Sequence, residues 1–239
     1  MGLPRPLVHP RARVGVLSTG DELVDGPVEL RPGQIRDSNR HALLALVRQS
    51  GGEPLDLGVV GDDERALEAA LGHGSKRCDA LVTSGGVSVG DFDYMVGVLR
   101  SLGQGADWMQ VAIKPAKPLL FGLIEAKPVF GLPGNPASSM VSFELFARPA
   151  LRQLMGHPEP HRPRVAAVAD EALVRQRDAK LHLVRAVAAF AGDGRLHVRS
   201  AGGQGSNLLG SMAAANALAL LPDGEGVAAG QEVEVLLLA

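Results

Sequence analysis

Short apolar runs that each end in a glycine-, serine- or acid-rich loop alternate with helical patterns along much of this chain. That alternation limits the fold more than any other feature. Residues 14–17 form the first run and end at Ser18-Thr19-Gly20-Asp21-Glu22. The segment 24–34, with its prolines and glycines, reads as irregular. Asp37 or Ser38 then offers an N-cap to a helix carrying Leu43, Leu46 and Val47, which stops at Gly51-Gly52. Residues 55–60 form a second run, and Asp62-Asp63 caps a helix bearing Leu67, Ala70 and Leu71. Residues 80–83 form a third, leading into Ser84-Gly85-Gly86-Val87-Ser88-Val89-Gly90-Asp91 and a helix faced by Met95, Val96, Val98, Leu99 and Leu102. Further strands are expected at 111–113, 119–121 and 129–132. Pro133-Gly134-Asn135-Pro136 breaks the chain, and 137–155 reads as one long helix, disturbed near Pro149 and ended by Gly156. Strands that alternate this regularly with helices imply parallel pairing through right-handed crossovers. The expected class is α/β, a doubly wound, mostly parallel sheet.

The pattern changes at 156–163, where three prolines fall within eight residues. Beyond it no helix is expected. The runs 164–169, 181–190, 195–200, 217–221 and 232–238 are β-like, with turns at Ala191-Gly192-Asp193-Gly194 and Pro222-Asp223-Gly224. The sequence therefore divides into an N-terminal extension (1–12), an α/β domain (13–157) and a small C-terminal β-barrel domain (163–239). With 239 residues and 46% apolar side chains, the chain can bury a core in each.

Charge and cysteine content remove several functions. Lys+Arg 24 against Asp+Glu 26 leaves a net charge of -2, without the basic surplus of a nucleic-acid binder. Cys78 is the only cysteine, so no disulfide framework or cysteine metal cluster is possible. No apolar run is long enough to cross a bilayer, and residues 1–13 lack the apolar segment of a secretory signal. A cytoplasmic protein is expected. The seven histidines have no zinc-ligand spacing, and no serine sits in a nucleophile elbow.

Ligands of an open parallel sheet bind beyond the carboxyl ends of its strands. That is where the polar residues fall: Asp21 and Glu22 after the first strand, Ser84 to Asp91 with Asp93 after the third, then Lys114 and Lys117, and finally Pro133 to Pro136 with Ser138 and Ser139. Backbone N–H groups at Gly85, Gly86 and the helix start at Ala137 are candidate anion donors. Lys114 and Lys117 suit an oxyanion, whereas Asp21, Glu22, Asp37, Asp91 and Asp93 repel one. A hard divalent cation, usually Mg²⁺, reconciles the two sets. Equally, Asp37 and Asp91 are ordinary helix caps.

Five stretches read together resemble one family. They are Leu17-Ser18-Thr19-Gly20-Asp21-Glu22-Leu23, Gly33-Gln34-Ile35-Arg36-Asp37-Ser38-Asn39-Arg40, Thr83-Ser84-Gly85-Gly86-Val87-Ser88-Val89-Gly90-Asp91, Ala112-Ile113-Lys114-Pro115-Ala116-Lys117-Pro118 and Phe130-Gly131-Leu132-Pro133-Gly134-Asn135-Pro136. In order and spacing they resemble the molybdopterin molybdotransferases, the MoeA and gephyrin E-domain type. Gly203-Gln204-Gly205-Ser206 resembles that family's C-terminal β domain. The resemblance implies a MoaB/MogA-like α/β domain followed by a β-barrel. It further implies binding of adenylated molybdopterin and Mg²⁺-dependent insertion of molybdate with release of AMP.

By the same resemblance, Asp37, Asp93, Lys114 and Lys117 are catalytic. Thr19, Gly20, Asp21, Glu22, Ser84, Gly85, Gly86, Ser88, Gly134, Asn135 and Pro136 hold the molybdopterin and its phosphate. Lys117, Pro118, Ser138, Arg185 and Ser206 hold molybdate, and Asp37, Asp91 and Asp93 hold the metal. A homodimer is implied, as is an encounter with the molybdopterin adenylyltransferase; no nucleic acid or membrane partner is.

Two residues depart from the family pattern. Ala116 stands where glycine is usual, and Gln110 where a basic residue is common. Family members also carry two N-terminal domains ahead of the first strand, so the expectation is either a piece of a longer protein or a shortened paralogue. Two other readings are a non-catalytic molybdopterin- or nucleotide-binding module and the adenylyltransferase itself, although the latter usually lacks the β domain.

Overall fold

A computed structural model describes residues 4–86, 92–103 and 105–238, with only the backbone of Phe92 and Asp93. Strands β1 (Arg13–Thr19), β2 (Glu53–Val60) and β3 (Ala80–Ser84) alternate with helices α1 (Asn39–Gln49) and α2 (Glu64–Ser75). Helix α3 (Phe92–Leu102) then leads into β4 (Ala106–Gln110), β5 (Pro118–Ile124) and β6 (Lys127–Leu132). These strands make one six-stranded sheet in the order β2-β1-β3-β6-β5-β4. The first four neighbours are parallel, and β5 and β4 add an antiparallel edge.

The central strands are buried on both faces, which is why they read as unbroken apolar runs. Val14, Val16, Ala80, Val82, Phe130 and Leu132 face Leu43 and Val47 of α1 and Phe143 and Leu151 further on. Leu17, Leu81 and Val129 turn the other way, onto Leu67 and Leu71 of α2 and Met95 and Leu99 of α3. The period-2 alternation of strand side chains thus feeds two cores, one under each helical layer.

Two expectations in this part are corrected. The strand expected at 111–113 is β4 at 106–110, an edge strand with mixed exposure, while Ile113–Lys114 leaves this sheet altogether. The long helix expected at 137–155 is broken into α4 (Pro136–Ser142), a π turn (Phe143–Ala147) and α5 (Arg148–Leu154). Pro149 has no N–H to give to the carbonyl four residues back, and its ring crowds that turn. The N–H of Arg148 instead reaches five residues back, to Phe143 O, widening the helix where disturbance was expected.

The C-terminal strands are β7 (Arg164–Ala169), β8 (Leu181–Phe190), β9 (Leu196–Ser200), β10 (Ala217–Leu221) and β11 (Glu232–Leu237). They pair in the order β9-β7-β11-β10-β8, and β8 pairs back onto β9, closing a five-stranded barrel. Closure leaves no unpaired edge within the ring and encloses Ala167, Ala186, Val198, Ala219 and Val235. A six-residue helix, α6 (Leu209–Ala214), stands where no helix was expected.

The two sheets are tied together. Ile113–Lys114 pairs in parallel with β8, Ile113 opposite Leu181 and Lys114 opposite His182. Ile113, Ala116 and Val141 share a buried cluster with Leu183, Met212, Leu218 and Leu236. The connecting segment is pinned as well: buried Glu144 accepts from Arg162 Nε at 2.9 Å, and Arg148 donates to Pro160 O at 2.9 Å. These contacts fix the barrel against the carboxyl-end rim of the α/β sheet. No helix among the described residues is long and apolar enough to cross a membrane.

Candidate functional site

Strand β1 lies between β2 and β3, so successive connections leave it towards opposite sides and open a crevice at the carboxyl ends of β1 and β3. Thr19 and Ser84 end those strands. Gly85 follows with φ 93, and a Cβ built there would lie 2.2 Å from Thr19 O. Only glycine permits both the backbone angle and this approach. A groove opens here, lined by Thr19, Glu22, Asp37, Ser84, Gly85, Gly134 and Pro136 of the expected set, with Arg36 and Asn39 beside them.

The backbone donors are not free as expected. Gly85 N–H donates to Leu132 O at 3.1 Å, and Ala137 N–H donates to Ser206 O at 3.0 Å. The expectation that these two amides present an open anion cradle is therefore corrected: sheet pairing uses one and the barrel loop uses the other.

Asp37 is held in an unexpected way. Its side chain has 0% exposure. It accepts from Ser18 Oγ at 2.9 Å, from Arg40 Nε at 2.8 Å and from the Arg40 backbone N–H at 3.2 Å. Arg40 is itself buried and also pairs with Asp25 and Asp56. Burial disfavours the Arg40 charge, but the hydrogen bonds and negative charge of Asp37 and Asp56 outweigh it and raise the guanidinium pKa. The Asp37 carboxylate is therefore matched inside the protein rather than presented to a ligand.

This bears on the metal. Both Asp37 oxygens are taken by Ser18 and Arg40, and among the described residues no three His, Cys, Asp or Glu side chains are grouped to hold a metal ion. Ser88, Asp91 and the Asp93 side chain lie outside the described residues. The described side chains do not form a Mg²⁺ cage.

Other expected residues surround the same crevice. Gly20 N–H donates to Val60 O at 3.1 Å, and Asp21 accepts from Asp62 N–H at 3.0 Å. Gly86 borders an adjoining recess with Thr19, Asp62, Asp63 and Tyr94. Asn135 precedes α4 and accepts from Ser139 N–H at 2.9 Å.

A second cavity, of about 270 Å³, lies at the seam between sheet and barrel. Lys114, His182, Arg185 and Gln204 line it, with Arg175 beneath. Arg175 is neutralised by Asp178 and Asp223. Arg185 is different. It is 1% exposed, and its guanidinium donates to Ser211 Oγ at 3.4 Å and to the carbonyls of Gly203 and Gly205 at 3.1 and 3.0 Å. Among the described residues no carboxylate pairs with it, and burial pushes its pKa down. A buried cation with no counter-charge among the described residues, lining a cavity beside exposed Lys114, is chemically suited to an anion.

The two cavities are neighbours through one strut. Arg185 holds the loop at Gly205, and Ser206 O accepts from Ala137 N–H, immediately before buried Ser138. Lys117 stands exposed before β5 and lines neither cavity. Pro118 opens β5 opposite Gln110. Ala116, where the family has glycine, adopts φ 78, so the turn keeps its left-handed form with alanine in place.

One residue absent from the expected set is Asn39. Its side-chain amide donates to Ser84 Oγ at 2.8 Å and to Gly134 O at 2.6 Å. The signal was available: an asparagine at the first helical position, a poor helix former, whose amide is not needed by its own helix.

Comparison with known proteins agrees with this architecture. Residues 15–153 match the family described as probable molybdopterin binding domain, and residues 172–238 match the MoeA C-terminal region, domain IV. A molybdopterin molybdenumtransferase of Nostoc sp. is 39% identical over 98% of this chain and 55% of its own length. One from Haemophilus influenzae is 35% identical over 98% of this chain and 58% of its own. The crystal structure of a molybdopterin biosynthesis MoeA protein from Pyrococcus horikosii matches with a TM-score of 0.78 and 30% identity, covering 96% of this chain and 55% of that one. The chain thus spans a little over half the length of these curated relatives. With its molybdopterin-binding fold running from the first strand through the broken helix, and the MoeA barrel behind it, the chain belongs to the MoeA-type molybdopterin-binding family.

Proposed function

We propose that this chain is the molybdopterin-handling half of a molybdopterin molybdenumtransferase, which inserts molybdate into adenylated molybdopterin and releases AMP. The observation that carries the reading is Arg185, a buried guanidinium with no counter-charge among the described residues, at a cavity that Lys114 also lines. Molybdate is a tetrahedral dianion, and charge-assisted donors suit its oxygens. The pterin nucleotide occupies the neighbouring groove at Thr19, Gly85 and Gly134, with Ser138 and Ser206 between the two.

The chemistry balances without redox. Two dithiol S–H groups condense with molybdate, two Mo–S bonds form, one oxo ligand leaves as water, and molybdenum stays hexavalent. One water cleaves the phosphoanhydride into AMP and the pterin phosphate. Lys114 and Arg185 hold the dianion and stabilise the oxygen that leaves. Asp37 acts from behind, holding Arg40 and Ser18, rather than on the substrate. Lys117 takes part only if its exposed side chain swings towards the seam on binding. The reading also includes the Mg²⁺ dependence, a homodimer in the cytoplasm, substrate supplied by the adenylyltransferase, and a division of the two units at 158–162.

The test is molybdate binding followed by thermal shift. At a hundredfold excess over the dissociation constant, a bound anion stabilises the folded state by about 2.7 kcal/mol. Arg185→Gln is expected to abolish that shift, read against the melting temperature of the ligand-free variant, because the substitution also releases the carbonyls of Gly203 and Gly205. An undiminished molybdate shift in that variant contradicts the assignment. AMP release from adenylated molybdopterin then separates an enzyme from a binding module.

A further inference from the structure

Three of the chain segments that build the groove at the β1/β3 crevice are distant in sequence: the start of α1, the loop after β3 and the loop after β6. We infer that the Asn39 side-chain amide is the positioning joint that holds these segments in register for the nucleotide. The inference deepens the reading above and rests on it only for the identity of the ligand.

Its geometry is specific. Asn39 Nδ2 spans Ser84 Oγ at 2.8 Å and Gly134 O at 2.6 Å, so one amide group touches both other segments. Gly134 O can only accept, which fixes the amide orientation. Ser84 Oγ extends the connection by donating to Pro133 O at 3.4 Å, and Ser139 Oγ donates to Ser84 Oγ at 3.4 Å. The loops need such a joint. Gly85 and Gly134 are glycines, and a Cβ on Gly134 would sit 3.7 Å from the Gly85 Cα, so side chains of their own cannot fix their separation. Asn39 is half-buried at the groove wall, where it sets the spacing of Ser84, Gly85 and Gly134 without having to touch the ligand.

The chemistry also says which replacements fail. Asn39→Ala deletes both donors. Asn39→Asp keeps the shape but sets a carboxylate against Gly134 O, replacing attraction by repulsion, and it regains one donor only when protonated. The two variants therefore differ in their pH profiles, which loss of packing alone does not produce.

The experiment uses the chain described here, with hydrogen exchange at 84–86 and 132–135 measured against β1 as internal reference, and AMP as the binding probe. Both variants are expected to speed exchange in those two segments and weaken AMP binding about tenfold, the scale of one or two lost hydrogen bonds. In Asn39→Asp, but not Asn39→Ala, AMP affinity relative to the unsubstituted protein recovers as pH falls through the carboxylate range. Unchanged exchange in the two segments overturns the proposal, as does faster exchange spread equally through β1. Loosened loops with undiminished AMP affinity also overturn it. If the unsubstituted chain binds no AMP but the loops still loosen in both variants, the joint stands and the nucleotide reading falls.

Discussion

Replacing Arg40 by methionine removes the guanidinium that three carboxylates share while keeping most of its aliphatic packing. Asp25 and Asp56 are 51% and 47% exposed, so water replaces their lost partner at little cost, about 0–1 kcal/mol each. Asp37 has no exposed side-chain surface, and an uncompensated buried carboxylate costs about 3–5 kcal/mol. The expected loss is therefore about 3–5 kcal/mol, nearly all of it through Asp37. At about 2–4 °C per kcal/mol for a chain of this size, the melting temperature falls by roughly 6–20 °C. Trp108, the only tryptophan, sits in β4 and reports unfolding of the α/β sheet by fluorescence in urea. Adding Asp37→Asn to Arg40→Met removes the stranded charge, so the double variant is expected to recover more than half of the loss. A loss below 1 kcal/mol, or strictly additive effects of the two substitutions, refutes the view that Arg40 exists to neutralise Asp37.

Two further outcomes follow from the same coordinates. Gly85→Ala forces a Cβ to 2.2 Å from Thr19 O at a left-handed φ, so urea denaturation is expected to show a loss of about 2–4 kcal/mol, and AMP binding is expected to fail; near-unchanged stability contradicts the packing described. His197 lies between Asp170 at 2.6 Å and Asp193 at 3.1 Å, and the hydrogen bond to Asp170, then that to Asp193, raises its pKa above 6.5. Its contribution to barrel stability is full below about pH 6.5 and is lost as pH rises through the higher folded value. His197→Gln is expected to flatten the stability profile across that window, and an unaltered profile contradicts the assignment.

The parts of the fold that could be read from sequence are those decided by burial on both faces. Strands β1 and β3 are apolar runs because helices cover each side, and no partner is needed to recognise them. Strand β4 is different. Asp107, Met109 and Gln110 are exposed, and only its pairing with β5 makes it a strand. The run expected as a strand at 111–113 differs for a similar reason: only Ile113 of it pairs, in the barrel sheet. Its partner is β8, almost 70 residues further on, and nothing local specifies that pairing. The Pro149 disturbance was legible because a missing N–H is a local fact.

The site shows the same division. Residue types at the strand ends could be read, and so could the family they resemble. Their sorting into a groove at the β1/β3 crevice and a separate seam cavity could not, because the barrel contributes Arg185 and Gln204 across the chain. Burial misled at Asp37. Four polar residues in a row, Asp37-Ser38-Asn39-Arg40, look like a solvated helix start, yet Asp37 and Arg40 pair inside the protein while Asn39 reaches across the groove.

Anomalous scattering at the molybdenum edge, from crystals of this chain soaked in molybdate and AMP, addresses the central claim directly. The predicted result is a molybdenum peak in the seam cavity within hydrogen-bonding reach of Arg185 and Lys114. A peak elsewhere on the surface, with that cavity holding no anion, would contradict the account.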